Sequence, residues 1–308
     1  MTRPGATCPA CDSDRALALG RKADISLHRC ARCELVFVHP QPRETVRHKY
    51  VEEYDVAAHF ASWESRKRVL YDRRLATLPQ PAPGRDRLCD VGCGDGQFLQ
   101  LAAARGWRVH GIELNPPAAA AAKARGAVVT VGVLEELADL PWEQYDLVTS
   151  WDVLEHTPFP KRFSEHLVRL LTPGGTLAVT TLNYDSLARR VFGLGWSMVG
   201  SDHFTYWNAR SLRLLFQPLG VQLLHAASFG IGRDFVSAAD RFWARRHSKT
   251  TRRPGTADAV AKESGRWDVN PVVLAAERGL NLLLGTTGTG VGVEAAFRKP
   301  ESAVAGAR

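Results

Sequence analysis

The sequence predicts an α/β chain: a doubly wound parallel sheet with a small cysteine ribbon in front of it and a helical segment between them. Three observations predict this. From Leu88 onward, short β-type runs alternate with helical runs at the spacing of a parallel sheet. A turn with glycines at alternate positions, DVGCGDG (Asp90 to Gly96), joins the first run to an alanine-rich amphipathic segment. Two cysteine pairs, CPAC and CARC, stand near the front.

The cysteine pairs come first in the chain. Cys8 and Cys11 are separated from Cys30 and Cys33 by 18 residues, the two-knuckle spacing of a structural zinc ribbon. Four thiolates around one ion would hold a segment too short to build its own core. Such a closed site leaves no open coordination position, so this zinc is read as structural. A redox role for one pair is the competing reading. It is disfavoured because both pairs occur together and no thioredoxin-like βαβ pattern surrounds either.

Next, ELVFVHPQPRE reads as a strand running into a proline turn. From Thr45 to Leu78 the spacing is helical, with Tyr50, Tyr54, Phe60, Trp63, Val69, Leu70 and Leu75 on shared faces. PQPAPGRDR (Pro79 to Arg87), with three prolines and a glycine, is the clearest linker. Strands are then expected over 88–91, 108–113, 128–131, 146–150 and 176–181, and helices near 95–105, 116–125, 161–171 and 184–192. In such a sheet, ligands sit outside the carboxyl ends of the strands, at the switch point beside the first strand.

The turn at that point is not a dinucleotide fingerprint, whose third glycine falls three residues after the second. Here Gly92, Gly94 and Gly96 are spaced by two and two, with Asp90 just ahead of them. The glycines permit close ligand approach. A carboxylate there would repel a pyrophosphate and suits a ligand bearing an amino group.

On these residues DVGCGDG resembles the first motif of the class I S-adenosylmethionine-dependent methyltransferases, which implies a seven-stranded Rossmann-like core. The resemblance places the cofactor's amino acid portion against the glycine turn, with Asp90 toward its ammonium. Glu113, in HGIELN, matches the acidic residue that takes the ribose hydroxyls. YDLVTSWDVLEH (Tyr145 to His156) resembles the fourth-strand motif of ubiquinone-type and related small-molecule methyltransferases. LTPGGTLAVTTLN, SDHFTYWNARSLRLLFQPLGVQLL and EAAFRKP resemble the fifth strand, the His-containing loop with the helix and sixth strand after it, and the last antiparallel strand. The implied division is a zinc ribbon over 1–44, a helical lid and linker over 45–80, a cofactor-binding core over 81–230, and a helical insertion with the closing strand over 231–308. Where many relatives carry an acidic residue for the adenine, this chain has Val133 and Leu134. That implies backbone and apolar contact, with Glu135 a third candidate. Trp151 and Asp152 complete the implied cofactor set, with Trp151 equally readable as a core residue.

Methyl transfer is an in-line displacement that needs alignment and, for some acceptors, removal of a proton. His156 is the leading candidate base and His203 the second, each weighed against a structural role. Trp196, Phe204, Tyr206 and Trp207 would wall a pocket for a flat or apolar acceptor, or simply pack a lid. The expected partner is therefore a small-molecule acceptor, with secondary metabolism one setting for it.

An RNA methyltransferase is the alternative, because Lys plus Arg exceed Asp plus Glu by 40 to 32 and a basic cluster runs from Arg241 to Arg253. Against it, the excess is dispersed, and the Asn/Asp-Pro-Pro-aromatic tetrad of base-amino methyltransferases is absent from SWDVLEH. A scaffold with a vestigial cofactor fold is a third reading, opposed by the intact Asp90, glycines and Glu113. The ribbon's role, including closure over the acceptor or homodimer formation, stays open at this level. Neither a secretory signal nor a membrane span is visible in the sequence, so a soluble cytoplasmic protein is expected.

Overall fold

A computed structural model describes residues 6–40, 51, 64–137, 140, 142–200, 202–230, 279, 280 and 283–301. The expected helix faces around Tyr50, Tyr54, Phe60 and Trp63, and the basic cluster from Arg241 to Arg253, lie outside the described residues.

The front of the chain is a small antiparallel sheet of β1 (Ala16–Lys22), β2 (Ile25–Cys30) and β3 (Val36–Val38). It does not close on itself. Its fourth strand, β9 (Thr205–Tyr206), comes from the segment between two strands of the central sheet and pairs with β3, Val36 opposite Tyr206 and Phe37 opposite Thr205. Surface ion pairs add to this attachment, Asp12 with Lys161 and Glu34 with Arg210.

After the ribbon, α1 (Glu64–Thr77) packs on the central unit through Tyr71 and Leu75, with Leu78 just past its end in the same cluster. The central sheet holds β4 (Arg87–Val91), β5 (Arg108–Glu113), β6 (Val128–Val131), β7 (Tyr145–Trp151), β8 (Leu171–Leu182), β10 (Gln222–Phe229) and β11 (Gly292–Arg298). Their order is β10-β11-β8-β7-β4-β5-β6. Strands β4 to β8 are parallel to one another, and β11 runs antiparallel between β8 and β10. This is the expected seven-stranded doubly wound sheet, with its switch point at β4, between β5 and β7.

The connecting helices are α2 (Gln97–Ala103), α3 (Pro116–Ala124), α4 (Pro160–Leu170), α5 (Leu187–Phe192) and α6 (Ala209–Phe216). Their starts follow local chemistry. Asn115 caps α3 by accepting from the Ala118 amide, and a proline with its fixed φ stands at the first turn of α3 and of α4. Asn208 and Ser211 form a reciprocal capping box on α6. Helix α5 starts three residues later than the periodicity suggests because Ser186 caps it, accepting from the Arg189 amide. Strand β8 starts five residues early, where Leu171 already pairs with Tyr145 across a register shift.

Trp196, Phe204, Tyr206 and Trp207 are each at most 1% exposed. They fill the core between the ribbon sheet and the central sheet rather than wall an open pocket, which corrects the first of the two readings of this cluster. Rings of this size are largely apolar, and burying them where the two sheets meet removes more apolar area from water than leaving them on a lid. Among the described residues, no helix is long and apolar enough to cross a membrane.

Candidate active site

The turn after β4 sits at the switch point, and its glycines are required there by space. Gly92 has φ +79°, and a Cβ on it would stand 2.4 Å from Val153 Cγ2. Gly96 has φ +78°, and its Cβ would meet Ala122 at 2.7 Å. The turn thus lies flat against the 152–156 segment on one side and α3 on the other. The third glycine, Gly94, turns its amide toward β5, where it donates to Glu113 Oε2 at 2.8 Å. Glu113 Oε1 accepts from the Asn115 amide, also at 2.8 Å. Two amides therefore aim the Glu113 carboxylate at the carboxyl end of β5, one strand from Asp90. Burial raises its pKa, and the amides of Asn115 and Gly94 oppose the rise.

Asp90 is buried, and its Oδ1 accepts from Thr149 Oγ1 of the neighbouring β7 at 2.6 Å. Burial pushes its pKa up to about 7, Glu113 adds to the rise, and the Thr149 bond and Arg74 resist it. Such a carboxyl gains from a cationic ligand beside it.

Two predicted cofactor contacts are core side chains. Trp151 packs edge-on against Phe98 with ring centroids 5.3 Å apart, under the Arg74 guanidinium. Leu134 opens a one-turn 3₁₀ helix (Leu134–Glu136) and is 2% exposed, packed in the main core. Trp151 is the last residue of β7 and Leu134 the first of its turn, and both side chains are buried rather than lining an open surface. Val133 is partly buried in extended conformation, and exposed Asp152 accepts from Thr180 Oγ1 at 2.8 Å while its amide donates to the Thr180 carbonyl. Asp152 has φ +56°, a left-handed backbone that turns the chain back over the glycine loop.

The two histidines meet. His156 closes a 3₁₀ turn (Leu154–His156) after β7, and its ring centroid lies 4.8 Å from that of His203. Nδ1 of His156 is 2.6 Å from the Asp202 carbonyl oxygen, and Nδ1 of His203 is 2.7 Å from the Met198 carbonyl oxygen. A carbonyl only accepts, so both Nδ1 atoms carry the proton, and in a neutral ring the lone pair is then on Nε2. Burial, helped by His203, lowers His156 to about 4. It therefore titrates well below neutrality, unlike the near-neutral base that the residue type suggests. Beneath it, burial and Asp152 raise Glu155 to about 8, while its Oε2 accepts from Thr181 Oγ1 at 2.8 Å.

A further group escaped the sequence reading. Lys67, Tyr71 and Arg74 lie one and two turns apart on the face of α1 that covers the switch point. Lys67 feels the charges of Asp95 and Asp152, and Tyr71 those of Arg74, Asp90 and Asp152. Arg74 is 4% exposed and faces Glu294 Oε2 at 3.3 Å, yet both Nη atoms are buried without a hydrogen-bond partner among the described residues. The usable signal was polar residues at i, i+4 and i+7 in register with the apolar Leu75 and Leu78.

In the ribbon, Cys8 Sγ lies 3.5 Å from Cys33 Sγ, and Cys11 Sγ lies 3.5 Å from Cys30 Sγ. All four sulfurs lie within 4.8 Å of one another, and none is in a disulfide. A tetrahedron with Zn–S bonds of about 2.3 Å has S···S edges of about 3.8 Å, so the donor set fits such an ion.

Comparison with known proteins places this geometry in context. A methyltransferase-domain family profile matches residues 62–226, more than half of the chain. The chain belongs to that family. Over 155 residues it is 33% identical to a ubiquinone biosynthesis O-methyltransferase of Alkalilimnicola ehrlichii, covering 46% of this chain and 62% of that protein. Over 103 residues it is 38% identical to the ubiquinone biosynthesis O-methyltransferase of Xanthomonas oryzae pv. oryzae, covering 32% and 43%. The chain thus spans under two thirds of the length of these curated relatives. Among solved structures, a SAM-dependent methyltransferase from Archaeoglobus fulgidus superposes with a TM-score of 0.52 at 17% identity, over 78% of this chain and 99% of that one. Phosphoethanolamine N-methyltransferase 2 of Haemonchus contortus, solved with S-adenosyl-L-methionine, gives 0.53 at 15% identity, over 86% and 62%. At such identities the likeness is one of fold.

Proposed function

We propose that the chain transfers the methyl group of S-adenosylmethionine to a hydroxyl oxygen of a small-molecule acceptor. The observation that carries this reading is the pair of carboxyl groups at the switch point. Glu113, aimed by the Gly94 and Asn115 amides, is placed to accept from two ribose hydroxyls. Buried Asp90 is placed to favour an ammonium. The Nη atoms of Arg74, without a hydrogen-bond partner among the described residues, supply the complementary charge for the ligand's carboxylate in this reading. Val133 and the backbone of Leu134 are left to hold the adenine, with Glu135 beside them, and Asp152 lies at the glycine turn.

When bound, the sulfonium supplies an electrophilic methyl carbon. What the chain adds is alignment and a proton acceptor. His156 is the base in this reading: its ring is held in one tautomer by the Asp202 carbonyl, and its Nε2 lone pair takes the acceptor's proton. His203, held likewise by Met198, borders the same corner and orients the acceptor. An oxygen acceptor fits the names of the curated relatives. A biosynthetic acceptor of secondary metabolism is our reading of its setting.

We also assign zinc to Cys8, Cys11, Cys30 and Cys33, on the fit of their spacing. The RNA alternative loses support at the ribbon. Residues 6–40 carry five basic side chains (Arg15, Arg21, Lys22, Arg29, Arg32) against four acidic ones (Asp12, Asp14, Asp24, Glu34), no grip for a phosphate backbone. The test supplies methyl-labelled S-adenosylmethionine to the protein with a host extract, then separates RNA, protein and small metabolites. Label in the metabolite fraction is expected, and label in RNA would overturn the reading.

A further inference from the structure

The ribbon reaches the histidine corner from two sides. On one side β3 pairs with β9, and the Val38 amide donates to the Phe204 carbonyl at 2.9 Å. Phe204 and Thr205 in turn clasp the turn that carries His156: the Phe204 amide donates to the Glu155 carbonyl at 2.8 Å, and Thr205 Oγ1 to the Leu154 carbonyl at 3.0 Å. On the other side Lys22, at the end of β1, donates from Nζ to the Trp196 carbonyl at 3.0 Å and the Val199 carbonyl at 2.7 Å. Between those two carbonyls lies Met198, whose own carbonyl fixes Nδ1 of His203.

The two anchor points differ in their other support. β9 pairs with β3 along its length, and Trp207 just after it bridges Asn183 just past the end of β8, so the ribbon shares that anchor with the central sheet. Among the described residues, one backbone bond closes the 196–199 turn, from the Val199 amide to the Trp196 carbonyl; the Lys22 ammonium binds that same carbonyl, and the Tyr206 hydroxyl donates to the Met198 carbonyl at 3.4 Å. The cysteines fix the platform from which both anchors act. Cys30 ends β2, its amide donates to the Leu35 carbonyl at the base of the β2–β3 hairpin, and Cys33 lies in the turn between the strands. Cross-linking these to Cys8 and Cys11 sets β3 against β1.

We propose that the ribbon is a positioning element of the acceptor site, in which Lys22 and β3 hold the chain segments flanking the Met198 and Asp202 carbonyls, which fix the tautomers of His203 and His156. This rests on the histidine reading above and assigns the four-cysteine centre a role in the site as well as in folding. Lys22 touches neither cofactor nor acceptor in this account, and it acts through Met198 and His203.

The test is side-chain ¹⁵N NMR of the histidines in the full chain, comparing wild type with Lys22→Met, alongside zinc content and a titration with S-adenosylhomocysteine. The expected result is unchanged zinc, cofactor-product affinity within about twofold because Lys22 bonds the 196–199 turn and none of the residues assigned to the cofactor, and a His203 signal moved toward exchange between both tautomers. Unchanged histidine signals would overturn the proposal. So would parallel loss of histidine order and of product binding, because the ribbon would then stabilise the chain as a whole. If Lys22→Met does not fold, withdrawing the metal from folded wild type with a chelator is read by the same signals with the same two outcomes. A wild type that carries no zinc or binds no S-adenosylhomocysteine would instead refute the functional assignment, and the Lys22→Met comparison would remain decisive for the positioning claim.

Discussion

Replacing Asp90 by Asn removes a charge and keeps the shape. The amide oxygen still accepts from Thr149, so the packing between β4 and β7 is preserved. In wild type the carboxyl is raised from 3.8 to about 7, mainly by burial. At about 1.4 kcal/mol per pH unit, that rise corresponds to about 4 kcal/mol between the protonated and fully ionised limits. A raised folded-state pKa means that the native protein holds the proton longer than the unfolded chain does. The stability linked to it is complete below the unfolded value and lost as pH rises through about 7. The amide of the Asp90→Asn variant is neutral throughout, so the variant's stability relative to wild type should grow by about 2–3 kcal/mol between roughly pH 5 and pH 8. Urea unfolding of both proteins across that range measures it. Binding carries the opposite sign: a ligand ammonium favours the ionised form, so S-adenosylhomocysteine should displace about half a proton from wild type at about pH 7, approaching one at about pH 6, and none from the variant. Calorimetry in buffers of different ionisation enthalpy reads this. A stability difference that stays flat with pH would refute the reasoning.

His156→Ala should lower turnover at least roughly tenfold while product affinity stays nearly intact, read by single-turnover rates against a binding titration; unchanged turnover removes His156 from the mechanism. Because His156 is lowered to about 4, the pH profile of kcat/KM should show no limb near 6.5 from this group and should fall only in more acidic solution. A limb near 6.5 that vanishes in His156→Ala would contradict the burial argument. Arg74→Met should weaken S-adenosylhomocysteine binding at least about tenfold and also lower the melting temperature, since it leaves the largely buried Glu294 without the guanidinium that faces it at 3.3 Å. A large loss of stability with intact binding would make Arg74 a structural partner of Glu294 only.

Much of the fold was legible because it is written locally. Strands β5 and β6 fall on 108–113 and 128–131 as expected, and α3 ends one residue short of its expected bound, since alternation, apolar runs and a proline-led alanine helix carry their own period. Asp90, the glycine turn and Glu113 were readable as a set because the distance between them is one strand, turn, helix and strand. The histidine pair was legible as two candidates and not as a contact, since residues 156 and 203 are brought together by β9, and nothing in a two-residue strand announces its partner. The same long-range pairing hid the ribbon's fourth strand and turned the 196–207 aromatics inward. Arg74 was missed because a charged residue on a helix reads as solvent-facing unless the face it shares with Tyr71, Leu75 and Leu78 is known to be covered.

The central claim is a cofactor site built on Glu113 and Asp90 at the switch point, and titration of S-adenosylhomocysteine into wild type and Glu113→Ala tests it most directly. The account predicts saturable one-to-one binding by wild type, weakened about a hundredfold in the variant by loss of two hydrogen bonds to a charged group at about 1.5 kcal/mol each. Absence of binding by wild type, or equal affinity in the two proteins, would contradict it.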